Sequence, residues 1–166
     1  MIKRRTILSE DRKYRYTLWR EGWDSLNENC RDRGKFVVFI GLNPSTADET
    51  KPDNTMTRCV GFAKSWGFEA LCMVNLFAYR TKSPREMKRQ IDPVGPENDK
   101  YIVQMCREAS LVIAAWGTHG SFLGRDKEVM KLIDNLHCLG TTQDGYPKHP
   151  LYLRADVVPC VYEREF

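Results

Sequence analysis

The chain has no apolar stretch approaching the ~20 residues that span a bilayer. Its start, Met1-Ile2-Lys3-Arg4-Arg5, lacks the apolar core of a secretory signal. Together these absences argue against a helical membrane protein and make the cytoplasm the expected location. There is also no Cys-x-x-Cys pair: the six cysteines, Cys30, Cys59, Cys72, Cys106, Cys138 and Cys160, lie far apart. Zinc and iron–sulfur sites rely on paired ligand spacing, so neither a metal nor another cofactor is expected. The thiols read instead as small buried hydrophobes in a reducing compartment, with Cys72 in a strand and Cys59 and Cys106 on apolar helix faces. Internal repeats, low-complexity tracts and long flexible linkers are missing too, and a single domain over residues 1–166 is expected.

What is present fits a globular protein: 166 residues, 42% hydrophobic and 29% charged, enough to bury a core without staples. The net charge of +4 is unevenly spread. Residues 3–20 hold seven basic side chains and two acidic ones, and residues 80–89 hold five and one, so the remainder is acidic. Two basic islands on an acidic body suggest a local phosphate-facing surface, although charged segments are more often simply solvated.

Strands and helices alternate along the chain. Residues 13–20 alternate with Tyr14, Tyr16 and Leu18 on one face, the pattern of a half-exposed edge strand. A polar connection with room for a short helix follows. Residues 36–42, 70–77 and 111–116 are apolar runs of the buried, parallel-strand type, and a shorter one lies near residues 136–139. Between them Met56, Cys59, Val60 and Ala63 recur at helical spacing behind a capping Asp53 or Asn54. Ser83-Pro84 can open a short helix, Pro96-Glu97 starts another, and Val129, Leu132, Ile133 and Leu136 mark a last one. The expectation is an α/β three-layer sandwich with a mostly parallel four-stranded central sheet plus the N-terminal edge strand.

In such a sheet the loops after the parallel strands open on one side. The first strand ends at Gly41, where the backbone can approach a ligand, followed by Asn43, the stiffening Pro44, Ser45 and Thr46. The second ends at Asn75, with Arg80 beyond it. The third leads to Thr118 and His119, and the fourth to Lys148 and His149. Each residue alone has a bland explanation: a satisfied backbone group, a loop tip, a rigid turn between prolines. Four polar loops at equivalent strand ends together suggest one cleft.

The strings FIGLNPSTADE, RCVGFAKSWGF, VNLFAYRT, DPVGPEND, AAWGTHG and DGYPKHPLYL, with YRYTLWR near the start, resemble an uncharacterised family of small bacterial and phage proteins over nearly the whole chain. That family resembles a distant branch of the uracil-DNA glycosylase superfamily. Gly41-Leu42-Asn43-Pro44 is similar to the Gly-Ile-Asn-Pro motif of mismatch-specific glycosylases, whose asparagine positions the attacking water. Asn75-Leu76-Phe77 with Arg80 is similar to the motif whose asparagine reads the flipped base. His149-Pro150 resembles the C-terminal His-Pro motif near the leaving base. Three departures stand out: Ser45 replaces a glycine, Met56 lies roughly where a stacking aromatic is expected, and iron–sulfur cysteines are missing.

The resemblance implies a uracil-DNA-glycosylase-like fold and hydrolysis of an N-glycosidic bond in nucleic acid, with DNA as partner. Asn43 can orient a water but cannot take its proton, which leaves Asp48 and Asp53 as possible bases, Asp53 reading better as a helix cap. Asn75 would pair with a base edge, and His149 would donate to the departing base. Lys148, Arg80 and the amides around Ser45 and Thr46 would meet phosphates. Two other functions fit the same residues. One is an enzyme acting on free nucleotides or sugar-nucleotides, which the modest net charge suits. The other is a non-catalytic nucleic-acid-binding module in which Asn43 marks a lost carboxylate.

Overall fold

A computed structural model describes residues 3–23, 36–45 and 53–165. It is a mixed α/β structure around one seven-stranded sheet. In chain order the strands are β1 (Lys3–Leu8), β2 (Arg15–Glu21), β3 (Phe36–Gly41), β4 (Ala70–Asn75), β5 (Leu111–Ala114), β6 (Leu136–Cys138) and β7 (Cys160–Val161). The helices are α1 (Asn54–Ser65), α2 (Pro84–Lys88), α3 (Asn98–Glu108) and α4 (Arg125–Leu132). Short 3-10 segments cover Thr118–Gly124 and Pro150–Tyr152. The spatial order is β1-β2-β4-β3-β5-β6-β7.

Three of the six pairings, β4–β3, β3–β5 and β5–β6, are parallel. The other three, β1–β2, β2–β4 and β6–β7, are antiparallel. This corrects the expected mostly parallel sheet of four strands and one edge strand. The strand expected at the edge, β2, is interior, because β1 pairs along its outer side. β1 opens with Lys3, Arg4 and Arg5, so its apolar signal is too weak to read. The suggested short helix before β3 falls on residues outside those described.

The central strands are buried on both faces, which is why they read as continuous apolar runs. Val37, Phe39, Leu71, Met73 and Ile113 face one way, against Met56, Cys59, Phe62 and Ala63 of α1. Val38, Ile40, Cys72, Val74 and Val112 face the other way, against Met87 of α2, Ile102 and Met105 of α3, and Val129 of α4. Helices therefore cover both faces. Helix α1 begins where its caps dictate: Asp53 accepts from the backbone N–H groups of Thr55 and Met56 at 2.8 and 3.3 Å. Helix α2 is one turn, capped by the Ser83 side chain with Pro84 in the first helical position. Helix α4 stops at Leu132 because Ile133 is extended, which releases Leu136 into β6.

One irregularity bears on the cavity. Ile7 pairs with Thr17, but Leu8 pairs with Arg15, so Tyr16 is an extra residue in β2. Such a bulge breaks the alternation of side chains. Leu18 and Arg15 thus share the α1 face, while Tyr16 stacks on Tyr101 of α3 with centroids 5.1 Å apart. The expected common face for Tyr16 and Leu18 does not form, and the reason is the bulge.

Candidate functional site

Because β3, β4 and β5 run parallel, their carboxyl ends lie side by side: Gly41 registers with Asn75, and Ile40 with Ala114. The ladder continues beyond them. Leu76 N–H donates to Gly41 C=O at 2.9 Å, Phe77 N–H to Leu42 C=O at 2.9 Å, and Ala115 N–H to Ile40 C=O at 2.8 Å. Above these ends is a cavity of about 720 Å³, within the range of small-molecule sites.

Of the residues singled out from sequence, Gly41, Asn43 and Ser45 reach this cavity from the first loop and Asn75 from the second strand end. Thr118, His119 and His149 complete that set from the later loops. Three others do not line it. Pro44 is buried, and its carbonyl accepts from Thr81 N–H at 3.0 Å. Arg80 donates to the carbonyl of Arg12 at 3.2 Å, a bond that draws it towards the β1–β2 turn. Lys148 is exposed, its stem beside Gly140. Thr46 and Asp48 lie outside the described residues.

The two asparagines are held differently. The Asn43 amide nitrogen donates to Thr81 C=O at 2.8 Å and reaches Pro44 C=O at 3.2 Å and Tyr79 C=O at 3.5 Å. It ties the loop after β3 to the loop after β4, and its carbonyl oxygen is the end left for a ligand. Asn75 is 3% exposed, yet its Nδ2 has no hydrogen-bond partner among the described residues. A buried amide donor without an acceptor costs about 1–3 kcal/mol, so the arrangement invites an acceptor from a ligand. Gly41 makes room for it: a Cβ there would stand 2.6 Å from Asn75 Oδ1. Behind Asn75, Asn98 donates to the carbonyls of Asn75 and Leu76 at 2.9 and 3.1 Å, and Arg125 donates to Leu76 C=O at 2.8 Å. Arg125 is itself buried and paired with Asp99 and Glu128, so the strand end is rigidly seated.

His149 caps the Pro150–Tyr152 turn, its Nδ1 accepting from Leu151 N–H at 3.2 Å. That bond puts the imidazole proton on Nε2 and requires the neutral ring. Burial also lowers its pKa from the usual 6.5, against the charge of Asp53. His119 is exposed, and its Nδ1 lies 3.1 Å from Lys88 Nζ, which donates to it. Asp53, besides capping α1, accepts from the Ser45 hydroxyl at 3.0 Å. Both carboxylate oxygens are therefore engaged, and the cap reading of Asp53 describes its geometry.

Several lining residues escaped the sequence reading. Arg15, 3% exposed, enters the wall through the β2 bulge. Burial lowers its pKa to about 10, with Asp53 opposing the shift, so it remains a cation at neutral pH. Trp116 follows β5 with its Nε1 buried and without a partner among the described residues. Lys82 and the 86%-exposed Tyr152 stand at the rim. Trp116 ends an apolar run and was legible as such. Arg15 was hidden, because an alternating pattern cannot show a bulge.

Among the described residues there is no group of three or more His, Cys, Asp or Glu placed to hold a metal ion, and no helix is long and apolar enough to cross a membrane. No curated protein and no solved structure matches the chain. A family model does match, over residues 15–151, which takes in β2, the strand ends, the Asn43 loop and His149. The chain belongs to that family, described as Protein of unknown function (DUF1643).

Proposed function

We propose that the cavity seats a nucleobase and that the protein hydrolyses the N-glycosidic bond joining that base to its sugar, in the manner of a uracil-DNA-glycosylase-like enzyme acting on an unusual or modified base. The observation that carries this reading is the Nδ2 of buried Asn75 at the cavity wall, which has no hydrogen-bond partner among the described residues. A carbonyl or ring-nitrogen acceptor on a base edge satisfies it, and the Asn75 carbonyl oxygen can accept from a neighbouring base N–H. His149, neutral and protonated on Nε2, donates to the base as the C–N bond breaks and its electron pair moves onto the base. The Asn43 carbonyl oxygen orients water towards the anomeric carbon. The water oxygen bonds to that carbon, its proton leaves to solvent, and the departed base is protonated. Arg15 and Lys82 supply positive charge for a phosphate.

One observation favours a free nucleotide over a polymer. Of the two basic islands, Arg15 and Lys82 alone line the cavity among the described residues. Arg20 is buried and donates to Trp19 C=O, and Arg80 is bound to the Arg12 carbonyl. A small anionic ligand needs no wider basic track, whereas a polymer does.

Base release from single- and double-stranded DNA carrying uracil, hypoxanthine or bulky modified pyrimidines, and from the matching free deoxynucleotides, tests both readings. The expected result is release that falls at least ~100-fold in Asn75→Ala and His149→Gln, in line with the loss of a catalytic hydrogen bond or acid. Release from nucleotides alone would select the small substrate. No release from any member, with both variants folded, would overturn the glycosidase.

A further inference from the structure

The far edge of the sheet holds a feature unrelated to the cavity. Strands β6 and β7 pair so that Cys138 lies directly opposite Cys160, and their Sγ atoms are 3.7 Å apart. Directly opposed residues of an antiparallel pair have Cα atoms about 4.5–5.5 Å apart, inside the ~4.4–6.8 Å that disulfides span. Only a modest approach of the two sulfurs separates this contact from the bonded distance of about 2.05 Å. β7 can make it: two residues long, it lies at the edge and pairs only with β6.

The two thiols differ in access. Cys160 is exposed, and Cys138 is 1% exposed. Burial raises the Cys138 thiol to about 11, which makes it the slower nucleophile at neutral pH. The other described cysteines offer no such pairing: Cys59 and Cys72 are buried on α1 and β4, and Cys106 is half-buried on α3.

We propose that Cys138 and Cys160 form a reversible disulfide across β6 and β7 by exchange with a small-molecule disulfide. The Cys160 thiolate attacks one sulfur of the oxidant, forming a mixed disulfide and expelling one thiolate. The Cys138 thiolate then attacks Cys160 Sγ, forming the internal S–S bond and expelling the second thiolate. Two protein thiols are oxidised, and the small disulfide is reduced to two thiols. The bond closes a loop between residues 22 apart in sequence, and that loop includes His149. It also fastens a C-terminal segment held as well by Tyr162, whose N–H donates to Leu136 C=O and whose hydroxyl donates to Gly145 C=O, and by Arg164, which pairs with Asp126 and donates to Asp144 C=O.

Oxidised glutathione supplied to the purified full-length chain tests this. The free-thiol count should fall from six to four, with loss of two hydrogens in intact mass and one linked peptide joining Cys138 to Cys160. Dithiothreitol should restore six, and the oxidised form should melt at higher temperature. In Cys138→Ser a glutathione adduct should persist on Cys160. In Cys160→Ser, whose exposed site tolerates the change, no internal link should form. A persistent adduct on Cys160 in the unaltered chain would overturn the proposal. So would a link to any other cysteine, a link between two chains, or an unchanged thiol count.

Discussion

The loops after β3 and β4 start alike and are used in opposite ways. Each parallel strand delivers an asparagine to the same cavity, and in sequence the two look equivalent. Asn43 spends its amide nitrogen on the carbonyls of Thr81, Pro44 and Tyr79, joining the loops to each other. Asn75, better buried, spends its nitrogen on nothing within the described residues and leans against Gly41. The first is a fastening, the second a donor without an acceptor among the described residues. An amide's role is thus decided by the acceptors around it, and one residue type at two strand ends can stabilise the fold at one and supply recognition at the other.

Substitution can break this comparison. The largest effect is expected from Asn43→Ala, which leaves three carbonyls without their shared donor. Its loss in denaturant unfolding should be about 1–3 kcal/mol, with the slope against denaturant unchanged. Asn75→Leu should behave oppositely. Removing a buried donor that has no acceptor among the described residues should leave stability unchanged or raise it by about 1 kcal/mol, while base release disappears. A clear destabilisation by Asn75→Leu, measured the same way, would make Asn75 a second fastening.

The smallest effect concerns pH at the His149 turn. Burial lowers the folded pKa of His149 below its unfolded value of 6.5. Between the two values the unfolded chain binds the extra proton, so stability falls as pH drops through about 6.5 and levels off below the folded pKa. Melting temperatures measured between about pH 8 and pH 5 should therefore decline more in the unaltered protein than in His149→Gln. Equal declines would place the pH sensitivity elsewhere.

Much of the frame was legible in the sequence because its cause is local. Strands β3, β4 and β5 are apolar on both faces, α1 has its apolar residues at helical spacing behind Asp53, and α2 has a serine cap with proline after it. Gly41, Asn43, Asn75, His119 and His149 stood out as polar or small residues at ends of apolar runs, and the cavity gathers them. Arg80 and Lys148 did not follow, because a long side chain goes where its nearest acceptors and solvent allow, and sequence position does not set that. The antiparallel strands β1 and β7 were missed for a related reason. One is rich in basic residues and the other only two residues long, and neither owes its strand conformation to its own pattern.

By itself, then, the sequence determined which segments are strands buried on both faces, where α1 and α2 begin, and which strand ends carry polar loops. Those features follow from side-chain period and backbone capping, which act over a few residues. Tertiary structure alone decided that β1 covers β2, that the Tyr16 bulge turns Arg15 into the cavity wall, and that the Asn43 amide is bound while that of Asn75 meets no acceptor among the described residues. It also decided that Cys138 meets Cys160. Each of these depends on a partner distant in sequence, and no local propensity encodes where such a partner will stand.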